Sequence, residues 1–303
     1  MTEARALVDV DAIARPGDDE LCVVVGPTAS GKTELAVQLA ERFGGEVVSA
    51  DSVQIYRRFD VGSGKPTAEE RRRAPHHLID VADPAEGFDA QRFAAAADLA
   101  IAEIRAKGRV PVVCGGTFLW VRALVLGLAP APPADASVRA RHAALVEAEG
   151  RAALHARLAA ADPSRAARLS PNDFVRVSRA LEIWELSGKP QSAWFAEHGF
   201  RSKRHRATLV GPHRERAEID QRIEARTARW LAEGWVDEVR ALVAGGHGEA
   251  RAMGSVGYKQ VKDHVEGRLP AGELAGAIVR ATRVFVRRQR TWLRDEDVTW
   301  ARV

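Results

Sequence analysis

The chain has 303 residues, 46% of them hydrophobic and 28% charged, which gives room for one large core or two modest domains. No apolar run approaches the about 18 residues of a membrane span, and the acidic N-terminus lacks the features of a signal peptide, so composition excludes a membrane protein and predicts a cytoplasmic one. The net charge is +4, with 21 basic against 14 acidic residues from residue 201 onward, which is compatible with a nucleic-acid partner and equally with a solvated basic surface.

A phosphate-binding loop follows the first predicted strand. An apolar run at residues 21–25 leads into Gly26-Pro27-Thr28-Ala29-Ser30-Gly31-Lys32-Thr33, and a helical pattern follows at 34–43. In a loop of this kind, backbone N–H groups converge on phosphate oxygens, the lysine adds a positive charge, and the final hydroxyl holds Mg²⁺ at the start of a helix. The motif and its flanking elements therefore predict a polyphosphate site, with Thr33 as the metal ligand.

Strands and helices alternate up to residue 125. Apolar runs at 46–49 and 110–114 predict strands, and a helix predicted at 93–107 connects them, which indicates an α/β fold with parallel strands. Cys22 and Cys114 lie in apolar runs, which predicts buried thiols and neither a disulfide framework nor a metal site. His76-His77 lacks the spacing of metal ligands, and a structural use is the better interpretation.

A Pro-rich segment at residues 129–134 ends this alternation. The following residues are rich in Ala, Arg, Leu and Glu with helical spacing, which predicts an inserted helical subdomain at 126–200. An apolar run at 207–212 predicts a return to the first sheet, followed by helices at 215–244 and 271–294. The predicted fold is a P-loop NTPase-like parallel sheet core with helices on both faces, formed by 1–125 and 201–303 with its basic C-terminal helices, and an inserted all-helical subdomain.

The residues at the strand ends restrict the chemistry. A nucleotide hydrolase needs a second carboxylate at a strand end, and Asp51 is the candidate. The third strand ends instead in Cys114-Gly115-Gly116-Thr117, with a hydroxyl where a carboxylate is expected, and no Asn-Lys-x-Asp guanine-recognition string occurs. These features argue against a motor ATPase or a GTPase, while a small-molecule kinase with Asp51 as its base stays open.

Further motifs run in order along nearly the whole chain. In the N-terminal half they are Ser49-Ala50-Asp51-Ser52-Val53-Gln54-Ile55-Tyr56, Asp60-Val61-Gly62-Ser63-Gly64-Lys65-Pro66, Pro75-His76-His77-Leu78-Ile79-Asp80 and Gly115-Gly116-Thr117. In the C-terminal half they are Pro171-Asn172-Asp173, Arg179-Ala180-Leu181-Glu182, Ser187-Gly188-Lys189-Pro190, Val256-Gly257-Tyr258-Lys259, Ala281-Thr282-Arg283 and Arg288-Gln289-Arg290-Thr291-Trp292. Together with the phosphate loop, this series resembles the tRNA dimethylallyltransferases, also named tRNA isopentenyltransferases.

The resemblance implies a prenyl transfer. A dimethylallyl group would pass from dimethylallyl diphosphate to N6 of the adenosine at position 37 of tRNA, next to the anticodon, giving N6-isopentenyladenosine and diphosphate. The phosphate loop would then hold the diphosphate of the donor, with Mg²⁺ as the cofactor. By position in the motifs, Asp51 is the general base, and Thr117 and Arg222 help to hold the diphosphate. Since one stem-loop requires no second subunit, we expect a monomer.

The resemblance also assigns residues to the tRNA, with the helical insertion contacting the anticodon stem-loop. The expected contacts are Asp51, Ser52, Val53, Gln54, Thr117, Arg139, Val175, Arg176, Val177, Ser178, Arg179, Gly254, Ser255, Val256, Gly257, Tyr258, Lys259, Arg283, Arg287, Arg288 and Gln289. The chain departs from the family pattern at Ser63-Gly64, where Thr-Ala is common, at Trp120, where Tyr is usual, and at Val175, where a polar residue is frequent. The first two departures affect the pocket wall, and the third affects a tRNA contact.

Simpler interpretations of the same residues stay open from the sequence. Asp51 is a candidate helix cap, Thr117 a candidate turn residue, and Arg222 a candidate solvated charge. Gly62-Ser63-Gly64-Lys65 lacks the four-residue gap of a phosphate loop and is not interpreted as one. The alternatives for the whole chain are an ATP-dependent small-molecule kinase, in which the basic C-terminal helices have no role, and a nonenzymatic RNA-binding module that uses a nucleotide for stability.

Overall fold

The computed structural model describes residues 7–199 and 203–303. The chain divides into two compact units: Leu126–Lys203, here the helical unit, and the residues before and after it, here the core unit. Among the described residues, no helix combines the length and the apolar character that a membrane span requires.

Parallel strands form one sheet in the core unit. In the described residues they are β1 (Val8–Asp9), β2 (Glu20–Val24), β3 (Gly45–Ser49), β4 (His76–His77), β5 (Val110–Cys114), β6 (Arg206–His213) and β7 (Val298–Arg302). Their spatial order is β1-β7-β6-β2-β5-β3-β4, and every pairing is parallel. The central strands β2, β3 and β5 are almost wholly buried and apolar, as expected for a parallel sheet covered on both faces.

Helices cover both faces of this sheet. The helices before the insertion are α1 (Lys32–Phe43), α2 (Ala68–Arg73), α3 (Ala90–Ala106) and α4 (Phe118–Leu126), and those after it are α10 (Arg216–Ala232), α11 (Trp235–Ala244), α12 (Tyr258–Val265) and α13 (Ala271–Leu293). Because successive strand residues point to opposite faces, Val23 belongs to one apolar cluster and Val24 to the other. The first cluster contains residues of α3, α4 and α11 to α13, and the second contains residues of α1. The predicted α/β fold, with a parallel sheet between two helical layers, is confirmed.

The helical unit is built from short helices. They are α5 (Ala136–Glu149), α6 (Arg151–Ala161), α7 (Pro163–Ala166), α8 (Phe174–Ser187) and α9 (Gln191–His198). Leu154 and Leu158 of α6 pack with Val177 and Leu181 of α8 in a separate apolar cluster. Their spacings of four residues place each pair on one face of its helix, so a core of its own forms in this unit.

Two features of the core unit differ from the sequence prediction. The single helix predicted at 215–244 is two helices, because Gly234 adopts φ +96°, a left-handed conformation that favours glycine and ends a helix. The strands β1, β4 and β7 were not predicted. Two of them have only two residues, and β7 contains exposed Thr299 and Arg302 between and after its buried positions instead of forming an apolar run.

The register of the central strands brings three strand ends to one edge of the sheet. Cys114 of β5 pairs with Val24 of β2 on one side and with Ser49 of β3 on the other. The segments that follow these strands are the phosphate loop, Asp51 and the Gly115-Gly116-Thr117 turn, so all three lie along the same edge. Ligands of α/β proteins bind at this carboxyl edge.

Candidate active site at the carboxyl edge of the sheet

The phosphate loop joins β2 to α1. Gly31 has φ +96° and immediately precedes the first residue of α1, and a Cβ added at Gly26 would lie 2.8 Å from Ser30 Oγ. The hydroxyl of Ser30 is buried and has no hydrogen-bond partner among the described residues. Since the first N–H groups of a helix have no partners within it, the start of α1 offers donors to an anion.

Lys32 is partly buried, and its ammonium group lies against this loop. Its Nζ donates a hydrogen bond to the Pro27 carbonyl at 2.8 Å. Burial lowers the pKa of Lys32, and the nearby Asp51 carboxylate acts in the opposite direction. No carboxylate in the described residues lies within ion-pair distance of Lys32, so its charge is available to a bound anion.

Arginines of α10 line the same loop from the other side. Arg222 Nε donates to the Ala29 carbonyl at 2.9 Å, and Arg226 Nη2 donates to Thr28 Oγ1 at 3.1 Å. Burial, together with repulsion from Arg229 and Arg222, lowers the pKa of Arg226 to about 10. In the described part of the chain, neither Arg222 nor Arg226 forms an ion pair with a carboxylate, so this side of the loop carries excess positive charge.

A cavity of about 460 Å³ opens between these groups. It lies within the core unit and is lined by Thr28, Ala29, Gly31, Lys32, Thr33, Glu34, Asp51, Gln54, Ser63, Gly64, Glu70, Cys114, Gly115, Arg222, Ala225, Arg226 and Arg229. Its wall thus joins cationic groups on the loop side to a carboxylate, Asp51, at the end of β3. A cavity of this kind suits a polyphosphate ester and a polar acceptor that must lose a proton.

Asp51 is held by the turn that follows it. One carboxylate oxygen, Oδ1, accepts hydrogen bonds from the Val53 N–H at 2.8 Å and the Gln54 N–H at 3.2 Å. The segment after Asp51 is a turn and not a helix, so the alternative role of helix cap is replaced by that of a turn cap. Among the described residues Oδ2 has no hydrogen-bond partner, and it is the oxygen left for chemistry.

Thr117 and Gln289 stabilise the loops around the cavity through hydrogen bonds. Thr117 Oγ1 accepts from the Ser52 N–H at 3.1 Å and donates to Ser52 Oγ at 3.2 Å. Gln289 is buried, its Oε1 accepts from the Thr28 N–H at 2.8 Å, and its Nε2 donates to the Gly116 carbonyl at 3.1 Å. Neither residue lines the cavity, so the diphosphate contact expected of Thr117 and the tRNA contact expected of Gln289 stay predictions.

Ser63 and Gly64 of the Gly62-Ser63-Gly64-Lys65 segment form part of the cavity wall. The Gln54 side-chain amide donates to the Gly64 carbonyl at 2.7 Å and fixes the turn beside Asp51. Lys65 is buried and pairs with Asp60 at 2.6 Å and with Asp80 at 2.5 Å. Since both carboxylates already neutralise Lys65, this segment does not act as a second phosphate loop.

The other tRNA residues expected in the core unit differ in exposure. Arg287 and Arg288 of α13 are exposed and have no ion-pair partner in the described residues, while Arg283 pairs with Asp220 and Glu224 at 3.1 and 2.6 Å. A second group of expected contacts is the segment Gly254, Ser255, Val256, Gly257, Tyr258 and Lys259. Within it Val256 is exposed, whereas the Tyr258 ring is fully buried and its hydroxyl donates a hydrogen bond to Glu238. A tRNA contact through the Tyr258 side chain would therefore need the segment to change conformation.

The tRNA residues expected in the helical unit are also divided. Val175 and Arg176 are exposed, but Val177 is buried in the apolar cluster, and Ser178 is buried with its hydroxyl 2.9 Å from His142 Nδ1. The side chains of Val177 and Ser178 are therefore not available to a ligand in this conformation.

Arg139 and Arg179, by contrast, bind a buried acid. Arg139 Nε lies 3.0 Å from Glu182 Oε1, Arg179 Nη1 lies 2.6 Å from Oε2, and the Asp135 N–H donates to Oε1 at 2.7 Å. Burial raises the pKa of Glu182, but these three partners lower it by more, so the net pKa lies below the ordinary 4.5. The two arginines thus have a structural function, whatever they contribute to tRNA binding.

Replacing Arg139 by alanine should lower the free energy of unfolding at pH 7 by about 1–2 kcal/mol, since two hydrogen bonds to a buried charge are lost while Arg179 remains. A carboxyl group whose pKa is lowered by folding stabilises the protein above its unfolded pKa, and this contribution disappears as pH falls through the folded pKa. The effect of Arg139→Ala should therefore shrink once the pH falls below 4.5.

Urea unfolding at pH 7 and at lower pH would measure this dependence. Arg141→Ala is the matched control, because Arg141 forms an exposed pair with Glu185, and exposed pairs contribute under about 1 kcal/mol. An Arg139 effect no larger than that of Arg141, or one independent of pH, would contradict the assignment.

Ser63 and Gly64 were placed at the pocket wall from the sequence, and both line the cavity, whereas Arg226 was not identified. A signal for Arg226 is nevertheless present, because Arg222, Arg226 and Arg229 are spaced by four and three residues and so share one face of α10. The contacts that hold Gly64 at the wall carry no such signal, since they come from Gln54 and from Trp230, far along the chain.

Known proteins resemble this chain over most of its length. A family model described as IPP transferase matches residues 54–296. The tRNA dimethylallyltransferase of Sorangium cellulosum is 72% identical over 290 residues, which cover 96% of this chain and 92% of that protein. The protein of the same name from Anaeromyxobacter dehalogenans is 51% identical over 281 residues, which cover 92% of this chain and 94% of that protein.

Solved structures agree with these sequences. The full-length tRNA isopentenylpyrophosphate transferase of Bacillus halodurans is 37% identical, with a TM-score of 0.68, over 93% of this chain and 89% of that one. A eukaryotic dimethylallyltransferase acting on tRNA is 25% identical, with a TM-score of 0.75, over 91% of this chain and 70% of that one. The resemblance seen in the ordered motifs is thereby confirmed, and the chain belongs to the IPP transferase family, that of the tRNA dimethylallyltransferases.

Proposed function

We propose that this chain transfers a dimethylallyl group from dimethylallyl diphosphate to N6 of the adenosine at position 37 of tRNA, giving N6-isopentenyladenosine and diphosphate. The observation that carries the proposal is the cavity in which a cationic phosphate loop faces Asp51, the carboxylate at the end of β3. The relatives named above are transferases of this type, which supports the same reaction here.

The loop side of the cavity would bind and stabilise the leaving group. The bond between C1 of the prenyl group and its oxygen breaks, and the electron pair stays on the diphosphate. Negative charge on the diphosphate therefore grows as the bond lengthens, beside Lys32, Arg222 and the N–H groups at the start of α1. Donors already in place where charge develops lower the barrier without reorganisation.

Asp51 would act on the acceptor. The new bond forms between N6 of adenine and C1 of the prenyl group, and N6 then carries one proton too many. Oδ2 of Asp51 accepts this proton, while Oδ1 stays bonded to the turn and keeps the carboxylate in place. Thr117, which holds Ser52 next to Asp51, would fix the same turn and so support the base.

Mg²⁺ fits the side of the cavity where the diphosphate of the prenyl donor would bind. Thr33, Glu34 and Glu70 offer oxygen ligands at its wall, and oxygen is what Mg²⁺ prefers. The described residues contain no group of three or more His, Cys, Asp or Glu able to hold a metal ion, so Thr33 would hold the ion together with oxygens of the diphosphate. When bound, Mg²⁺ would neutralise part of the charge of the diphosphate.

The exposed basic residues would contact the tRNA. We assign this role first to Arg287 and Arg288 of α13 and to Arg176 of the helical unit. The insertion predicted at 126–200, which contains Arg176, would bind the anticodon stem-loop. Contacts between arginine and phosphate make binding strongly dependent on salt. A single chain working on one stem-loop in the cytoplasm requires no second subunit, so we propose a monomer.

Incubation with tRNA, Mg²⁺ and labelled dimethylallyl diphosphate should place the label in tRNA as N6-isopentenyladenosine, detected by mass spectrometry of the nucleosides. A tRNA with guanosine in place of adenosine 37 is the matched control and should stay unlabelled. Absence of label at any Mg²⁺ concentration would refute the proposal, and transfer of the γ-phosphate of ATP to a metabolite would favour a kinase.

A further inference from the structure

Arg226 lines the cavity at the phosphate loop, and most of its N–H groups have no partner in the described residues. The only hydrogen bond recorded for its side chain among the described residues is that from Nη2 to Thr28 Oγ1. A guanidinium group carries five N–H donors in a planar fork. Arg226 lines the same cavity as Lys32 and Thr33.

The indole of Trp230 fixes the position of this guanidinium. Trp230 lies one helical turn after Arg226 on α10, and Arg226 Cζ stands 4.5 Å from the centroid of its ring. The ring is buried, and a Cβ added at Gly64 would lie 3.2 Å from it, so Trp230 also supports the cavity wall at Gly64. A second indole, that of Trp235, meets the Trp230 ring edge to face with centroids 5.5 Å apart. Arg226 thus has a rigid support.

The charge of Arg226 is poorly compensated in the protein alone. It has no ion-pair partner among the described residues, and its helix neighbours Arg222 and Arg229 are also cations. Burial and these neighbours lower its pKa to about 10, so that holding the charge destabilises the folded protein, although the group stays protonated at pH 7. A positive charge that lowers the stability of the ligand-free protein is best explained by an anion that binds to it.

We propose that Arg226 binds the diphosphate of the prenyl donor directly, as a second guanidinium beside Arg222, and that Trp230 is the positioning residue that aims it. This inference rests on the proposed function, because it assigns two further residues to the same site. It goes beyond the phosphate loop in making affinity for the prenyl donor depend on one face of α10.

Arg226→Met tests the first part. Binding of inorganic diphosphate in the presence of Mg²⁺, measured by calorimetry on the full chain without tRNA, should weaken by about 10- to 100-fold, as expected for hydrogen bonds to a charged group. The KM for dimethylallyl diphosphate should rise in parallel, while the KM for tRNA stays unchanged. Because a buried, unpaired charge is removed, the melting temperature of the ligand-free variant should not fall.

Arg216→Met is the matched control, since Arg216 lies exposed on the same helix and does not line the cavity. Diphosphate binding by Arg226→Met within about twofold of the control would overturn the inference, and so would a loss of binding accompanied by a lower melting temperature without ligand. In either case label transfer by the wild-type chain would still stand, so failure of the inference and failure of the proposed function are distinguishable.

Trp230 is tested through its coupling to Arg226. Trp230→Leu should weaken diphosphate binding several-fold, and Trp230→Phe should restore most of it, because an aromatic face is kept. In the Arg226→Met background, Trp230→Leu should have no further effect on diphosphate binding, as a double-mutant cycle requires for a residue that acts through another. Independent, additive effects of the two substitutions would overturn the positioning role.

Discussion

Asp51→Asn should lower the rate of prenyl transfer by about 10²-fold or more, since asparagine cannot accept the proton of the adenine amino group. The substitution keeps an oxygen able to accept the N–H groups of Val53 and Gln54, so the turn should be retained. We therefore expect the loss in kcat, with little change in the affinity for tRNA or for diphosphate. Single-turnover rates with saturating donor would separate the chemical step from binding.

Two further variants sharpen this expectation. Asp51→Ala should lose the turn cap as well as the base, and so should bind tRNA less well than Asp51→Asn. Gln38→Leu is a control, since the Gln38 side chain on α1 bonds to Glu34 alone within the described residues and does not line the cavity. A single-turnover rate for Asp51→Asn within about threefold of wild type would exclude Asp51 as the general base, because general-base catalysis is typically of order 10²–10⁴.

Lys32→Met should have the second large effect, a fall of about 10²- to 10³-fold in kcat/KM for dimethylallyl diphosphate. Its partly buried ammonium is the cation of the phosphate loop, and it has no carboxylate partner in the described residues. Both the ground state and the developing charge of the leaving group should therefore lose stabilisation. The ligand-free protein should be no less stable than wild type, because the variant no longer buries an unpaired charge.

Initial rates at varied donor concentration, with tRNA saturating, would measure this loss. Lys107→Met is the matched control, because Lys107 at the end of α3 is partly exposed and pairs with Glu103 at 2.8 Å. Equal effects of the two substitutions, or a Lys32 effect confined to the KM for tRNA, would contradict a role for Lys32 on the diphosphate.

The parts of the fold that the sequence predicted are those with strong local signals. The strand at 110–114 was predicted with its observed bounds, because a continuous apolar run is what a central parallel strand requires. The phosphate loop carries its own motif. The outer strands could not be predicted, since β4 has two half-buried histidines and is defined only by its pairing with β3.

In the candidate site too, the residues with a local sequence signal could be predicted and those that depend on distant contacts could not. Asp51 was identified because it directly follows a predicted strand, and the chain places it at the edge that the parallel register dictates. The roles of Gln289 and Tyr258 were not apparent, because both depend on contacts across long stretches of sequence. Gln289 contacts Thr28, 261 residues away, and Tyr258 is buried against Trp235 and Phe59. No local pattern reports such partners.

The hydrogen bonds of Gln289 have a consequence for the order of events during protein synthesis. The phosphate loop is translated before α13, so the Thr28 N–H receives its partner, Gln289, only when α13 has left the ribosome and packed. The arginines of α10 also arrive late, and β6 must insert beside β2 before they can reach the loop. A nascent chain therefore exposes the loop motif without these supporting contacts until α10, β6 and α13 have been synthesised and have packed.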